Sequence, residues 1–350
     1  MILDKKPNYY LNEDKEYVIE DYNQVKPFAS FLPSIAGING KPIWAYYVNR
    51  GQALCSLGVN NKDYSIMEFL PANKAYRQTF LQGFRTFYKI KDTTSGEVKC
   101  YEPFQGTYQN KSQDIVQKMY ITSYDLKIEE VNKTLGIKTE VMYCTLAGEK
   151  MPALIRRVAI TNISGEPLEL EVMDGLPILI PYYITNKEMK DFSNLKQAWM
   201  RVENYQEIPF YKLTVLAADT PETEFIEGGN FYMNFDFSEG NKAKISKTVI
   251  NPTVIFDNNT ELSYPVNFFD KEFSMPQEQV NIGFTPCGFG YKKIKLDSGS
   301  TDTSYTLVGN SESYESLVDF AENKLSKDYL LNKINENKEV VEKIKGRIFT

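Results

Sequence analysis

Histidine is absent from this chain of 350 residues. That excludes Ser-His-Asp and Cys-His nucleophile systems and histidine-ligated metals, leaving carboxylates, lysine and tyrosine as acid and base groups. Cysteine is scarce: Cys55, Cys100, Cys144 and Cys287 lie far apart, and no CxxC pair marks a zinc or redox site. Reduced, mostly buried thiols are expected, and neither a metal nor an organic cofactor is indicated. No segment approaches the roughly 20 apolar residues that cross a bilayer, so no membrane partner is expected. The N-terminal stretch MILDKKPNYYLNEDKEY lacks the apolar region of a secretory signal, which points to a cytoplasmic protein. Phosphate loops and GxGxxG fingerprints are missing too, so nucleotide chemistry has no support. The 46 acidic and 40 basic residues leave a net charge of -6 spread along the chain, and no nucleic-acid partner is expected.

What is present is β-forming. The chain is 42% hydrophobic, enough for a substantial core, and its middle is dominated by period-two alternation. In Leu168-Glu169-Leu170-Glu171-Val172 the apolar side chains face one way and the glutamates the other, the pattern of a half-buried antiparallel strand. A hairpin is expected between residues 154–161 and this strand through Asn162-Ile163-Ser164-Gly165-Glu166-Pro167. A second hairpin should join residues 118–130 to 135–146, with further strands at 211–217, 231–237, 244–250 and 305–308. Many short strands between Gly, Pro, Asn and Asp clusters, with no fixed repeat, predict a large β-sandwich of antiparallel sheets over about residues 1–310.

The pattern changes at Asn310-Ser311. From 312 to 345 there is no Gly or Pro, and Leu317, Phe320, Ala321 and Leu325 recur at three- and four-residue steps. Residues 311–350 therefore read as helical, capped by Ser311 or Ser313 and interrupted near Asn335-Glu336-Asn337. The apolar stripe must pack back on the sandwich or lead to a further domain.

Candidate sites are sparse. Asn49, Arg50 and Gln52 form a polar turn after the aromatic strand of Trp44, Tyr46 and Tyr47, with Lys62 and Asp63 a strand later. Aromatic faces beside amides and charges suit sugar rings, and an aromatic core strand ending in an ordinary turn accounts for the same residues. Asp63, Glu68, Glu102 and Asp174 lie near apolar residues able to raise a pKa, but their spacing marks no catalytic pair. Tyr182-Tyr183 after Pro181, and residues 284–291 with Gly288 and Gly290, fit binding loops or loops that close a sandwich end.

The segments FLPSIAGINGKPIWAYYVNRGQ, SLGVNNKDYSIMEFLPANKAY, GFRTFY and MDGLPILIPY resemble the N-terminal portion of the inverting glycoside phosphorylases of glycoside hydrolase family 94. The resemblance is greatest to the branch acting on β-1,2-linked glucooligosaccharides. It implies an N-terminal β-sandwich and a helical linker preceding an (α/α)6 catalytic barrel and a small C-terminal β-domain. The chain matches the first two. The family's catalytic aspartate and its phosphate-binding groups, including a histidine, belong to the barrel, so no residue here inherits those roles.

In the implied reaction the acid protonates the glycosidic oxygen while inorganic phosphate attacks the anomeric carbon from the opposite face, giving α-glucose 1-phosphate. The resemblance further implies a homodimer in which loops of the sandwich edge the partner's active site. Asn49, Arg50 and Gln52, with Trp44, Lys62 and Asp63, are the rim or interface candidates. Rival expectations are a free-standing carbohydrate-binding module, a structural subunit that pairs with a separate barrel, and an aldose mutarotase-like enzyme, the last disfavoured by the missing histidine.

Overall fold

The computed structural model describes residues 8–32, 40–91, 96–106, 114–215 and 225–348. Residues 33–39 of the first family-like segment, the end of the expected strand at 216–217, and residues 349–350 lie outside the described residues. In chain order the elements begin with β1 (Tyr9–Leu11), β2 (Tyr17–Glu20), β3 (Ala29–Leu32), β4 (Ile43–Val48), β5 (Leu54–Val59), β6 (Ser65–Met67) and α1 (Ala72–Gln82). There follow β7 (Arg85–Lys91), β8 (Val98–Tyr101), β9 (Ile115–Ile121), β10 (Leu126–Asn132), β11 (Ile137–Thr145), β12 (Ala153–Asn162), β13 (Leu168–Leu176), α2 (Asn186–Asp191) and α3 (Ser193–Trp199). Next are β14 (Met200–Glu203), β15 (Phe210–Leu213), β16 (Gly229–Asp236), β17 (Lys244–Ser246), β18 (Thr248–Val249), α4 (Thr253–Phe256) and α5 (Val266–Phe269). The chain closes with β19 (Gly288–Leu296), β20 (Thr301–Ser311), α6 (Tyr314–Asn323) and α7 (Lys327–Ile348).

Among the described residues, eleven strands form one antiparallel sheet in the order β1-β2-β9-β10-β11-β12-β20-β16-β15-β14, with β17 beside β16. Two smaller antiparallel sheets, β18-β19-β13-β7-β8 and β3-β4-β5-β6, pack on its inner face and share one core with it. Leu154, Val308 and Tyr232 from the large sheet meet Leu170 and Val172 from the five-stranded sheet and Leu54 and Leu57 from the four-stranded one. This is the mainly β sandwich that the alternation predicts.

The expected alternation in β13 is present. Leu170 and Val172 are buried, while Glu169 and Glu171 face outward and pair with Lys91, Lys293 and Lys295 on the neighbouring strands. By contrast β16 is buried through Phe235 on both faces. Tyr232 points into the sandwich, whereas Phe231, Met233 and Phe235 lie in a second apolar layer under the C-terminal helices.

That second layer receives the predicted apolar stripe. Leu317, Phe320, Ala321, Leu325 and Leu330 pack on Cys144, Ile155, Phe231 and Leu307, so the helices fold back on the outer face of the large sheet. Leu317 and Leu330, with no exposed surface, each remove enough apolar area from water to contribute about 1.5–3 kcal/mol before ordering costs. Ser313 caps α6, its Oγ accepting the Ser316 N–H at 3.2 Å. The interruption falls between Asn323 and Lys327 instead of near Asn335. The amide of Asn337 is used otherwise, donating to the Tyr124 carbonyl at 2.8 Å and accepting from Thr145 Oγ1 at 3.1 Å, which pins mid-α7 to the sandwich.

The two hairpin expectations divide. β10 and β11 pair around residues 132–136 as expected, with β9 and β10 separated by a tight turn at Thr122 and Asp125. β12 and β13 do not pair. β12 lies between β11 and β20 in the large sheet, and β13 between β7 and β19 in the five-stranded one. Their connection is an arch between layers. Asn162 holds it, its N–H donating to the Ser300 carbonyl and its amide to the Glu166 and Leu296 carbonyls at 2.8 and 2.9 Å. The expected strand at 244–250 likewise divides into β17 and β18, which belong to different sheets.

Candidate functional site

The polar turn between β4 and β5 is built into the core. Ala53 N–H donates to the Arg50 carbonyl and Val48 N–H to the Ala53 carbonyl, and Gly51 takes a φ of 54° that an L side chain rarely adopts. Asn49 is fully buried; its amide nitrogen donates to the Tyr22 and Lys26 carbonyls at 3.0 and 3.1 Å, and its oxygen accepts the Phe28 N–H at 2.9 Å. The half-buried Arg50 guanidinium donates to the Val25 carbonyl at 3.0 Å and to the Asn49 carbonyl at 2.6 Å. Both residues thus clamp the 22–28 segment.

Gln52 points between the sheets. Its amide nitrogen donates to Thr86 Oγ1 at 2.9 Å and its oxygen accepts from Arg156 at 2.7 Å, while its backbone carbonyl accepts the Tyr143 hydroxyl at 2.9 Å. Thr86 in turn donates to Asp174 Oδ1 at 2.6 Å. Arg156, with no exposed surface, lies against the face of Phe84 and forks onto the Asp174 carboxylate. Burial alone would lower the Arg156 pKa, but the Asp174 carboxylate outweighs it and holds the guanidinium charged. Arg156 escaped the sequence reading although a signal existed: in LIRRVAI it occupies the inward phase with Leu154 and Val158.

Three of the four carboxylates considered as acid and base, Asp63, Glu102 and Asp174, have a cationic partner, while the backbone carbonyl of Glu68 accepts the Ser56 hydroxyl at 2.9 Å. Glu102 is forked by Arg85 at 2.6 and 2.7 Å; burial still pushes its carboxyl up, with Arg85 opposing. Asp174 is forked by Arg156, and Asp63 contacts Lys62 at 3.0 Å near solvent. Among the described residues no group of three or more Cys, Asp or Glu side chains is arranged to hold a metal ion.

The remaining candidates gather at one end of the sandwich. Trp44 is half-buried on β4 and donates its indole N–H to the Asn60 carbonyl at 2.6 Å, bracing the turn that carries Lys62, Asp63 and Tyr64. Tyr64 stacks on Tyr182, ring centroids 6.5 Å apart, and Tyr182 meets Tyr183 edge-on at 5.6 Å. The loop is fixed to two sheets: Ile180 N–H donates to the Ile66 carbonyl at 2.8 Å and Tyr182 N–H to the Tyr211 carbonyl at 3.0 Å. Gly228 leaves room for the Tyr182 ring, which a Cβ there would meet at 2.9 Å. Burial first, then Tyr64, Tyr183 and Glu312, hold the Tyr182 hydroxyl above its ordinary pKa. Glu312 pairs with Lys41 at 2.8 Å.

Tyr64 and Tyr183 remain 44% and 43% exposed. Tyr183 has a φ of 74°, a conformation that costs a bulky side chain about 1–3 kcal/mol and persists only where its surroundings impose it. Residues 284–291 have a structural part: Gly288 lies under the Tyr232 ring, and Gly290 against the Asn234 amide, each too close for a Cβ.

No family model and no curated protein matches the chain. Solved structures similar to it include a polysaccharide lyase, at 9% identity over 79% of this chain and 33% of that one, with a TM-score of 0.39. A human-microbiome protein described as a kojibiose phosphorylase is similar at 8% identity over 90% of this chain and 31% of that one, TM-score 0.37. A bacterial glucoamylase solved with acarbose is similar at 10% identity over 90% of this chain and 40% of that one, TM-score 0.38. The chain thus spans less than half the length of each of these proteins.

Proposed function

We propose that this chain is the N-terminal sandwich module of an inverting glycoside phosphorylase acting on β-linked, most specifically β-1,2-linked, glucooligosaccharides. One observation carries the reading: the four segments that resemble family 94, spread over residues 31–182, converge on one region. Gln52, Thr86 and Asp174, each from a different segment, form one hydrogen-bonded chain. Ile66 and Ile180 join two of the segments by a backbone bond, and Tyr64 and Tyr182 stack across the same two. A shared signature on a scaffold is expected to concentrate in this way, because residues that hold one another in place are constrained together.

In this reading the chain supplies scaffold, homodimer interface and active-site rim, and the catalytic acid and phosphate site belong to a helical barrel in cis or in trans. A protein combining this chain with such a barrel is expected to release α-glucose 1-phosphate from β-1,2-glucooligosaccharides and phosphate. The pure chain is expected to release none. Reproducible release by the chain alone, or none by the combined protein from any β-linked glucooligosaccharide, overturns the reading.

A further inference from the structure

Four segments distant in sequence meet at the end of the sandwich: Lys41 before β4, the Asn60 to Tyr64 turn, the Tyr182-Tyr183 loop, and Glu312 between β20 and α6. Two features there are left unexplained by folding. Tyr183 is held at a φ of 74° while remaining 43% exposed, and Tyr64 presents a partly exposed ring that is stacked on Tyr182. Neither ring is needed to fill the core, and backbone bonds to two sheets make the loop rigid.

We propose that Tyr64 and Tyr183, whose rings are steeply inclined to each other because one stacks on Tyr182 and the other meets it edge-on, form an angled platform that takes one pyranose ring of a glucooligosaccharide, one aromatic ring under its C–H face and the other at its edge, with Lys62, Asp63 and the Lys41 to Glu312 pair meeting its hydroxyl groups. The choice of sugar rests on the function proposed above. Aromatic faces cover the axial C–H groups of a pyranose, while charged and amide groups at the edge pair with its equatorial hydroxyls. Two rings under half exposed offer far less than the roughly 800 Å² per partner that a stable protein interface needs, which favours a small ligand over a second chain. The immobilised loop lowers the ordering cost of binding, as preorganisation requires.

The test is calorimetric titration of the full chain with β-1,2-, β-1,4- and α-1,4-linked glucotetraose, for the unaltered protein and for Tyr64→Ala, Tyr64→Phe and Tyr183→Gly. The expected result is binding of the β-1,2 tetramer, weakened at least tenfold by Tyr64→Ala and by Tyr183→Gly and retained in Tyr64→Phe. Tyr183→Gly removes the ring but relieves the backbone, so its melting temperature should equal or exceed that of the unaltered chain; a purely structural tyrosine would lower it. Undiminished β-1,2 binding in a Tyr64→Ala, Tyr183→Gly double variant sinks the platform and leaves the proposed function standing. Binding confined to the α-1,4 tetramer and lost in the same variants supports the platform and counts against the proposed function. No binding of any tetramer by the unaltered chain overturns the platform.

Discussion

Arg156 and Asp174 face each other across the interior of the sandwich, the guanidinium on the large sheet and the carboxylate on the five-stranded one, with N···O distances of 2.5 and 2.8 Å. Gln52 and Thr86 bond to the same pair, so one network ties all three sheets together. Removing one partner leaves an uncompensated charge in a site where Arg156 has no exposed surface and Asp174 only 13%. Arg156→Met is therefore expected to cost about 3–5 kcal/mol in urea unfolding, and Arg156→Met with Asp174→Asn less than Arg156→Met alone. A single-variant cost under about 1 kcal/mol would show that the pair does not clasp the layers.

The turn that seemed to offer Arg50 to a ligand gives its guanidinium largely to the chain's own carbonyls. Arg50→Ala should lower stability by about 1–3 kcal/mol, the cost of losing charge-assisted bonds to half-buried acceptors. Thermal melting measures this directly. An unchanged melting temperature would return Arg50 to the list of residues free to serve a partner.

Glu130 gives the fold a pH dependence. It accepts from the Tyr101 hydroxyl at 2.5 Å, the Phe104 N–H at 2.6 Å and the Gln117 amide at 2.7 Å, yet burial dominates and raises its pKa from the ordinary 4.5. Between 4.5 and the raised value the folded protein holds the extra proton, so stability falls as pH rises. The contribution is complete below the ordinary value and lost above the folded one. In Glu130→Gln the amide can donate to Tyr101 while its oxygen keeps the other two bonds. The fall in urea midpoint from acid to neutral pH should therefore be smaller in the variant than in the unaltered chain; Glu102 and Asp125, also raised, leave a residual slope of the same sign, and Glu149 and Glu188, held below the ordinary value by their partners, act against it.

Glycine requirements separate sharply between two positions. A Cβ on Gly175 would lie 2.0 Å from the Gly288 carbonyl oxygen and 2.6 Å from Phe289 Cα, atoms of the paired backbone that cannot yield, whereas a Cβ on Gly165 meets nothing within 4 Å. Gly175→Ala is expected to cost about 3 kcal/mol or more, at the upper end of overpacking penalties, and Gly165→Ala well under about 1 kcal/mol. Equal melting temperatures for the two variants would contradict this packing.

The parts legible in the sequence were those set by local pattern. Leu170 and Val172 could be assigned inward and Glu169 and Glu171 outward because successive strand side chains alternate faces. A serine cap, at Ser311 or Ser313, and the stripe from Leu317 to Leu325 could be read because caps favour serine and helical neighbours recur at three and four residues. The partner of a strand has no such local record. The turn after Asn162 reads equally well as a hairpin or as an arch, and its bonds to Ser300 and Leu296 decide between them. Asn337 reads as a helix breaker until Tyr124 and Thr145 are seen beside it.

By itself the sequence determined a β-rich chain with helices at its end and without histidine chemistry, since composition and periodicity act residue by residue. Tertiary structure alone decided that Asn49 and Gln52 turn inward, that Arg156 finds Asp174, and that Tyr64 reaches Tyr182, which lies over a hundred positions away. Those outcomes depend on which layers pack together, and packing is settled by the whole core at once and not by any one segment of it.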